Sequence, residues 1–160
     1  MIVDEFIQWL STAGPEDRAM AAAPLVRACL NDKVAPDLRE GLEAVMMVFL
    51  DDPEPQVRAA LAIALAAEPG APHPVVLALA QEGPDIAAAI VARSPVLLDA
   101  ELVDLVAVGT PEIQIAAANR TVVGPGLAAA LAEVAEPPAL AALLRNLRAA
   151  IPHFSLRRMV

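Results

Sequence analysis

Pro84-Asp-Ile-Ala-Ala-Ala-Ile-Val-Ala-Arg93 is followed by a second block of the same plan, Pro111-Glu-Ile-Gln-Ile-Ala-Ala-Ala-Asn-Arg120. Each opens on proline, places an acid next, runs through apolar residues and closes on arginine. Pro137-Pro-Ala-Leu-Ala-Ala-Leu-Leu-Arg-Asn146 is a third copy, and Pro55-Gln-Val-Arg-Ala-Ala-Leu-Ala-Ile-Ala64 opens an earlier, longer one. The opening prolines lie 29, 27 and 26 residues apart. Self-similarity at a period of about 20–50 residues marks a stack of repeated units.

Each unit reads as two short helices. Proline suits the first helical turn, where its missing N–H would have no partner. The acids beside it (Asp85, Glu112, Glu54, Glu136) complement the positive end of the helix dipole. The first helix should end near Arg93, Arg120 or Arg145, a cation at the negative end. A loop with Pro or Gly follows: Gly70-Ala71-Pro72, Ser94-Pro95, Val123-Gly124-Pro125. In the second helices, Leu102, Leu105 and Val106, then Leu127, Leu131 and Val134, recur at the helical period. Gly83 and Gly109 read as unit ends.

Before residue 52 the pattern is less regular but still helical. Phe6, Trp9 and Leu10 share a face; Pro15-Glu16-Asp17 and Pro36-Asp37 read as two further helix starts. Terminal units of a stack are commonly atypical because they cap it against water. The expectation is an all-α, α-α superhelix of HEAT-like helix-pair repeats of about 26–29 residues. It forms one domain over residues 1–150, with irregular capping helices over 1–51 and repeats over 52–150. About ten helices are expected in all, and residues 151–160 read as a short tail.

Composition narrows the function classes. The chain has 160 residues, 58% of them hydrophobic, with three Phe, one Trp and no Tyr. Ala and Leu favour helices, whereas strands favour β-branched and aromatic residues. The longest charge-free stretch, Pro69 to Gln81, is too short and too rich in Pro and Gly to span a bilayer. The chain opens Met-Ile-Val-Asp-Glu, with acids where a secretory signal carries Lys or Arg. With a single cysteine, Cys29, the expected location is the cytoplasm. The net charge is −9, unevenly spread. Residues 1–136 hold seven Lys/Arg against twenty Asp/Glu, whereas residues 137–160 hold four Arg and no acid. Nucleic-acid binding rests on clustered cations, so an acidic body makes DNA or RNA an unexpected partner.

Three stretches carry a resemblance: Asp52-Pro53-Glu54-Pro55-Gln56-Val57-Arg58-Ala59-Ala60-Leu61-Ala62, Arg93-Ser94-Pro95-Val96-Leu97-Leu98 and Asn119-Arg120. The first looks like a HEAT-type opening. Together, over about Asp51 to Asn146, they resemble an uncharacterised proteobacterial family of HEAT-like, leucine-rich-variant helical repeats, a domain of unknown function. The resemblance implies an α-α superhelix and implies no reaction.

No catalytic, cofactor or metal site is expected. His73 and His153 stand without Cys or carboxylate at ligand spacing. Cys29 shares an apolar face with Val26 and Leu30 and reads as a small buried hydrophobe. Gly124-Pro125-Gly126 lacks the strand and the lysine of a phosphate loop. Val45-Met46-Met47-Val48-Phe49-Leu50 is apolar all round its helix, as a core helix or a partner-facing one would be. The candidate partner-binding residues are Arg93, Arg120 and Arg145, which recur with the repeat. They could grip carboxylates or phosphates of a partner, or bond helix-end carbonyls and acids of adjacent units. Arg58, in a first turn, is a different kind of position and should pair across to the next unit. The expected function is a non-enzymatic scaffold or adaptor that binds another protein. Two alternatives stand beside it: a homo-oligomeric structural subunit, joined for instance by docking of the basic tail on an acidic neighbour, and an enzyme or nucleic-acid binder on a HEAT-like scaffold.

Overall fold

The computed structural model describes residues 2–159. They form eleven helices: α1 (Ile2–Thr12), α2 (Pro15–Cys29), α3 (Pro36–Leu50), α4 (Pro55–Leu65), α5 (His73–Ala80), α6 (Pro84–Arg93), α7 (Asp99–Val108), α8 (Pro111–Ala118), α9 (Pro125–Val134), α10 (Pro137–Arg145) and α11 (His153–Met159). There is no strand among the described residues; one isolated bridge pairs Val123 with Ala149.

Proline sets the helix starts. Eight helices carry it at their first or second position, where it removes only an N–H that has no intrahelical acceptor. The helix α7 starts without it. There the Glu101 carboxylate turns back to accept the Leu98 N–H at 2.8 Å. Pro24 stands inside α2, so the Met20 carbonyl loses its i+4 donor. Gly109 ends α7 without a left-handed turn. Its reason is room: a Cβ there would strike the Leu105 carbonyl and the Ile113 side chain. Gly83 has open space around it, so packing does not require a glycine there.

The helices stack in two layers. In one, α2, α4, α6, α8 and α10 pack each on the next. In the other, α1, α3 and α5 form one run and α7, α9 and α11 a second. Where these runs meet, α5 and α7 lie less closely packed than their neighbours. Their starts are tied by His73 Nε2 and Glu101 Oε1 at 2.8 Å, while a cleft of about 250 Å³ separates their ends. This is an all-helical superhelix of repeated pairs, as the proline spacing predicts. The core changes along the stack. Phe49 and Met46 are its largest fully buried side chains; beyond α4 it is built from Leu, Val, Ile and Ala.

Two expectations need correcting. The described residues hold eleven helices where about ten were expected, and the residues read as a tail form the last of them, α11. The Pro152 carbonyl accepts the N–H groups of Ser155 and Leu156, which starts the helix. Ser155 is then buried as α11 packs on α9. Val134 is exposed, although it shares the period of the buried Leu127 and Leu131. The apolar helix at residues 45–50 divides: Val45, Met46 and Phe49 are buried, while Met47 and Val48 are exposed. Among the described residues no helix is long and apolar enough to cross a membrane.

Candidate functional site

The repeat places a side chain nine residues after each opening proline: Arg93 after Pro84, Arg120 after Pro111, Asn146 after Pro137. At that point the first helix is ending and its last carbonyls need donors. Arg120 answers this for the preceding unit. Its guanidinium donates to the Val91 carbonyl and, at 2.7 Å, to the Ser94 carbonyl, both at the end of α6. Asn146 repeats the arrangement one unit on, its amide N–H₂ donating to the carbonyls of Ala118 at 2.9 Å and Arg120 at 2.8 Å. Burial lowers the Arg120 pKa below the ordinary arginine value, and the nearby Asp99 carboxylate opposes this.

Arg93 and Arg145 behave differently. Both are exposed. They are the last residues of α6 and α10, which run to the arginine, whereas α8 stops two residues short of Arg120. Arg145 Nε donates to the Ala141 carbonyl of its own helix at 3.0 Å. The three arginines therefore do not form one uniform ladder. Arg120 and Arg145 meet in an open groove of about 680 Å³ across the ends of α8 and α10. Arg148, Asn119, Thr121 and Asn146 also line it; no carboxylate does among the described residues, and Arg93 lies outside. Asn146 Oδ1 accepts the Arg148 N–H at 3.1 Å, which ties that backbone to the groove floor. Two exposed guanidinium groups thus stand over a floor of hydrogen-bonding side chains. Such a surface can hold carboxylates through paired N–H donors.

The other singled-out residues have structural settings. Arg58 NH1 donates to the Asp52 carbonyl at 2.5 Å, and its Nε lies 3.1 Å from Glu82 Oε1. That N–H does not point at the carboxylate, so the contact is a charge pairing rather than a hydrogen bond. Glu82 lies at the end of the unit that Pro55 opens, before Gly83 and Pro84, so the pairing stays within that unit rather than reaching across to the next. Cys29 is buried, and that burial raises its thiol pKa, which makes it a poor nucleophile. His73 pairs with Glu101, and His153 is exposed at the start of α11. No cluster of three or more His, Cys, Asp or Glu could hold a metal ion among the described residues.

Sequence reasoning missed three polar residues. Asp52 is clasped by Arg18 in two bonds, Nε to Oδ2 at 2.7 Å and NH2 to Oδ1 at 3.0 Å. Burial raises the Asp52 pKa, but the Arg18 bonds, the Glu54 N–H and the charges of Arg18 and Arg58 outweigh it and leave it lowered. Gln114 is buried in α8 and ties three backbone groups. Its N–H₂ donates to the carbonyls of Val106 and Val134, each at 3.3 Å, and its Oε1 accepts the Glu136 N–H at 2.9 Å. The signal was a lone polar residue inside the apolar run Ile113-Gln114-Ile115. Asn146 was quoted as the end of a block, and the equal spacing from proline that pairs it with Arg120 was the available signal.

The architecture defines an all-helical repeat protein. Within it, residues 86–160 match a family described as "Uncharacterised protein conserved in bacteria (DUF2336)". The match runs from α6 through α11, so it includes the segment read as a tail and leaves α1–α5 outside. No curated protein and no solved structure matches the chain.

Proposed function

We propose that this protein is a non-enzymatic interaction module on a HEAT-like helix-pair scaffold, holding an acidic segment of another protein in the groove across α8 and α10. The observation that carries this reading is the pairing of exposed Arg145 and Arg148 over the Asn146 floor, in a groove free of carboxylates on a chain of net charge −9. Stacked helix pairs offer extended curved surfaces that suit peptide binding. Arg120 is the supporting element, since its bonds to the end of α6 hold the floor in place. The reading assigns no catalytic group, cofactor or nucleic acid to the chain, and it suits a cytoplasmic protein.

The test is fluorescence anisotropy with a Glu/Asp-rich peptide and a neutral peptide of equal length. The acidic peptide should bind, and the Arg145→Glu/Arg148→Glu variant should weaken it by ten-fold or more, about 1.4 kcal/mol. The exposed Arg93→Glu variant should bind as the parent does. Equal binding of both peptides, or tighter binding of a DNA or RNA oligonucleotide, overturns the reading.

A further inference from the structure

The groove across α8 and α10 holds more open donors than a carboxylate uses. Arg145 commits its Nε to the Ala141 carbonyl, which leaves both terminal nitrogens of the guanidinium open. Among the described residues, nothing hydrogen-bonds or ion-pairs with the side chains of Arg148, Asn119 or Thr121, and all three are exposed. Asn146 and Arg120 are already engaged. The Asn146 amide N–H₂ is taken by the carbonyls of Ala118 and Arg120, and the Arg120 terminal nitrogens by carbonyls at the end of α6. These two form a fixed floor beneath the open donors. Elsewhere Arg18, Arg58 and Arg158 meet Asp52, Glu82 and Glu133. Here no carboxylate lines the groove among the described residues, and the Arg120 bonds go to neutral carbonyls. Asp99 acts on Arg120 from the start of α7 without lining the groove. The ends of α8 and α10 contribute about half a negative charge each, less than the three guanidinium groups supply.

A carboxylate offers two oxygens in one plane and a single charge, and one guanidinium fork satisfies it. A phosphate monoester offers three strong acceptor oxygens and a charge of about −1.5 to −2. It calls for donors from several directions. Two open guanidinium groups, an amide and a hydroxyl, set after α8 and at the end of α10, meet that demand. Ile115 and Pro138 line the same groove and give it an apolar side, which suits the flanking residues of a peptide better than a free ion. We propose that the groove takes a phosphorylated side chain of the acidic segment, an inference that rests on the groove reading and narrows its ligand. Arg145 and Arg148 hold the phosphate charge. Asn119 and Thr121 supply the donors that a carboxylate leaves unused, and so set the preference.

The experiment is fluorescence anisotropy of the full chain with labelled peptides of one acidic sequence, carrying phosphoserine, Glu or Ser at the central position. Titrations at about pH 7.5 and about pH 5.5 bracket the second phosphate pKa of about 6. At the higher pH the phosphoserine peptide should bind about ten-fold tighter than the Glu peptide, or more. That advantage should shrink at the lower pH, where the phosphate takes up a proton. The carboxylates of the Glu peptide stay largely ionised across this interval, and no His, Asp or Glu lines the groove among the described residues, so its affinity should barely change. Asn119→Ala/Thr121→Ala, checked for helicity by circular dichroism, should weaken the phosphoserine peptide several-fold and leave the Glu peptide unchanged. Equal affinity for the two peptides, an advantage that is the same at both pH values, or a double variant that affects both peptides alike overturns the phosphate assignment and leaves the acidic-segment reading standing. Inorganic phosphate that binds as tightly as the phosphoserine peptide overturns it in favour of a free ion. Failure of all three peptides to bind removes both readings.

Discussion

The first four helices and the last six hold their seams by different means. Near the start, charge pairs do it: Arg18 clasps Asp52 between α2 and the end of α3, and Arg58 reaches Glu82. Around them sit the largest core side chains, Phe49 and Met46. From α6 onward, apart from the exposed Arg158–Glu133 pair between α11 and α9, side chains bond backbone carbonyls and N–H groups: Arg120 to the end of α6, Asn146 to the end of α8, Gln114 to the ends of α7 and α9. The packing there is Ala and Leu at close approach. A seam of ionised pairs answers to pH. A seam of side chain to backbone bonds answers to side-chain shape. Between them, α5 and α7 meet through His73 and Glu101.

The largest test of this contrast is in the core. Phe49→Ala should destabilise by about 3–5 kcal/mol, because Phe49 is fully buried and its loss leaves a cavity; urea denaturation measures it. A loss below about 1 kcal/mol would mean that the first helices contribute little to the cooperative unit. Next comes Gln114→Leu, which keeps the volume but strands the Glu136 N–H and two carbonyls. Buried groups left unpaired cost about 1–3 kcal/mol each, softened here if water reaches the helix ends. The loss should appear at neutral pH and in acid alike.

Asp52→Asn should give a smaller loss that depends on pH. The folded Asp52 carboxyl titrates below its ordinary value, so it binds its proton more weakly folded than unfolded. Its contribution is therefore complete above the unfolded pKa and disappears as pH falls through the folded one. Thermal melts should show the variant weaker than the parent at neutral pH and converging with it in acid. A constant difference across that range would place the stabilisation in shape rather than charge. The smallest effect belongs to His73→Gln, below about 1 kcal/mol, because the pair is partly exposed. Hydrogen exchange should still register it locally, as faster opening at the starts of α5 and α7.

The fold was legible because proline marks both a helix start and a period. The openings at Pro55, Pro84, Pro111 and Pro137 all begin helices of one layer. The end of the chain was less legible. Phe154, Leu156 and Met159 make too brief an apolar pattern to separate a seven-residue helix from a tail, and what orders them is the surface of α9. The groove was half legible. Arg120 and Arg145 do line it, but residue type alone could not tell a bridging arginine from a free one. That difference comes from where each helix stops, at Ala118 in α8 and at the arginine itself in α6 and α10. Asn146 was seen only as the end of a block and Arg148 only as one of four C-terminal arginines, because neither belongs to the apolar run that carries the repeat.

The bridges of Arg120 and Asn146 have one more property. They span 29 and 26 residues in the first case, 28 and 26 in the second, about one repeat in every case. A gene segment of that length, copied in tandem, would carry a donor at its end and an acceptor helix at its start. Each new joint would then find its bonds already provided. Chains of this architecture can lengthen by duplication without inventing a seam, and the surface they present grows by whole units.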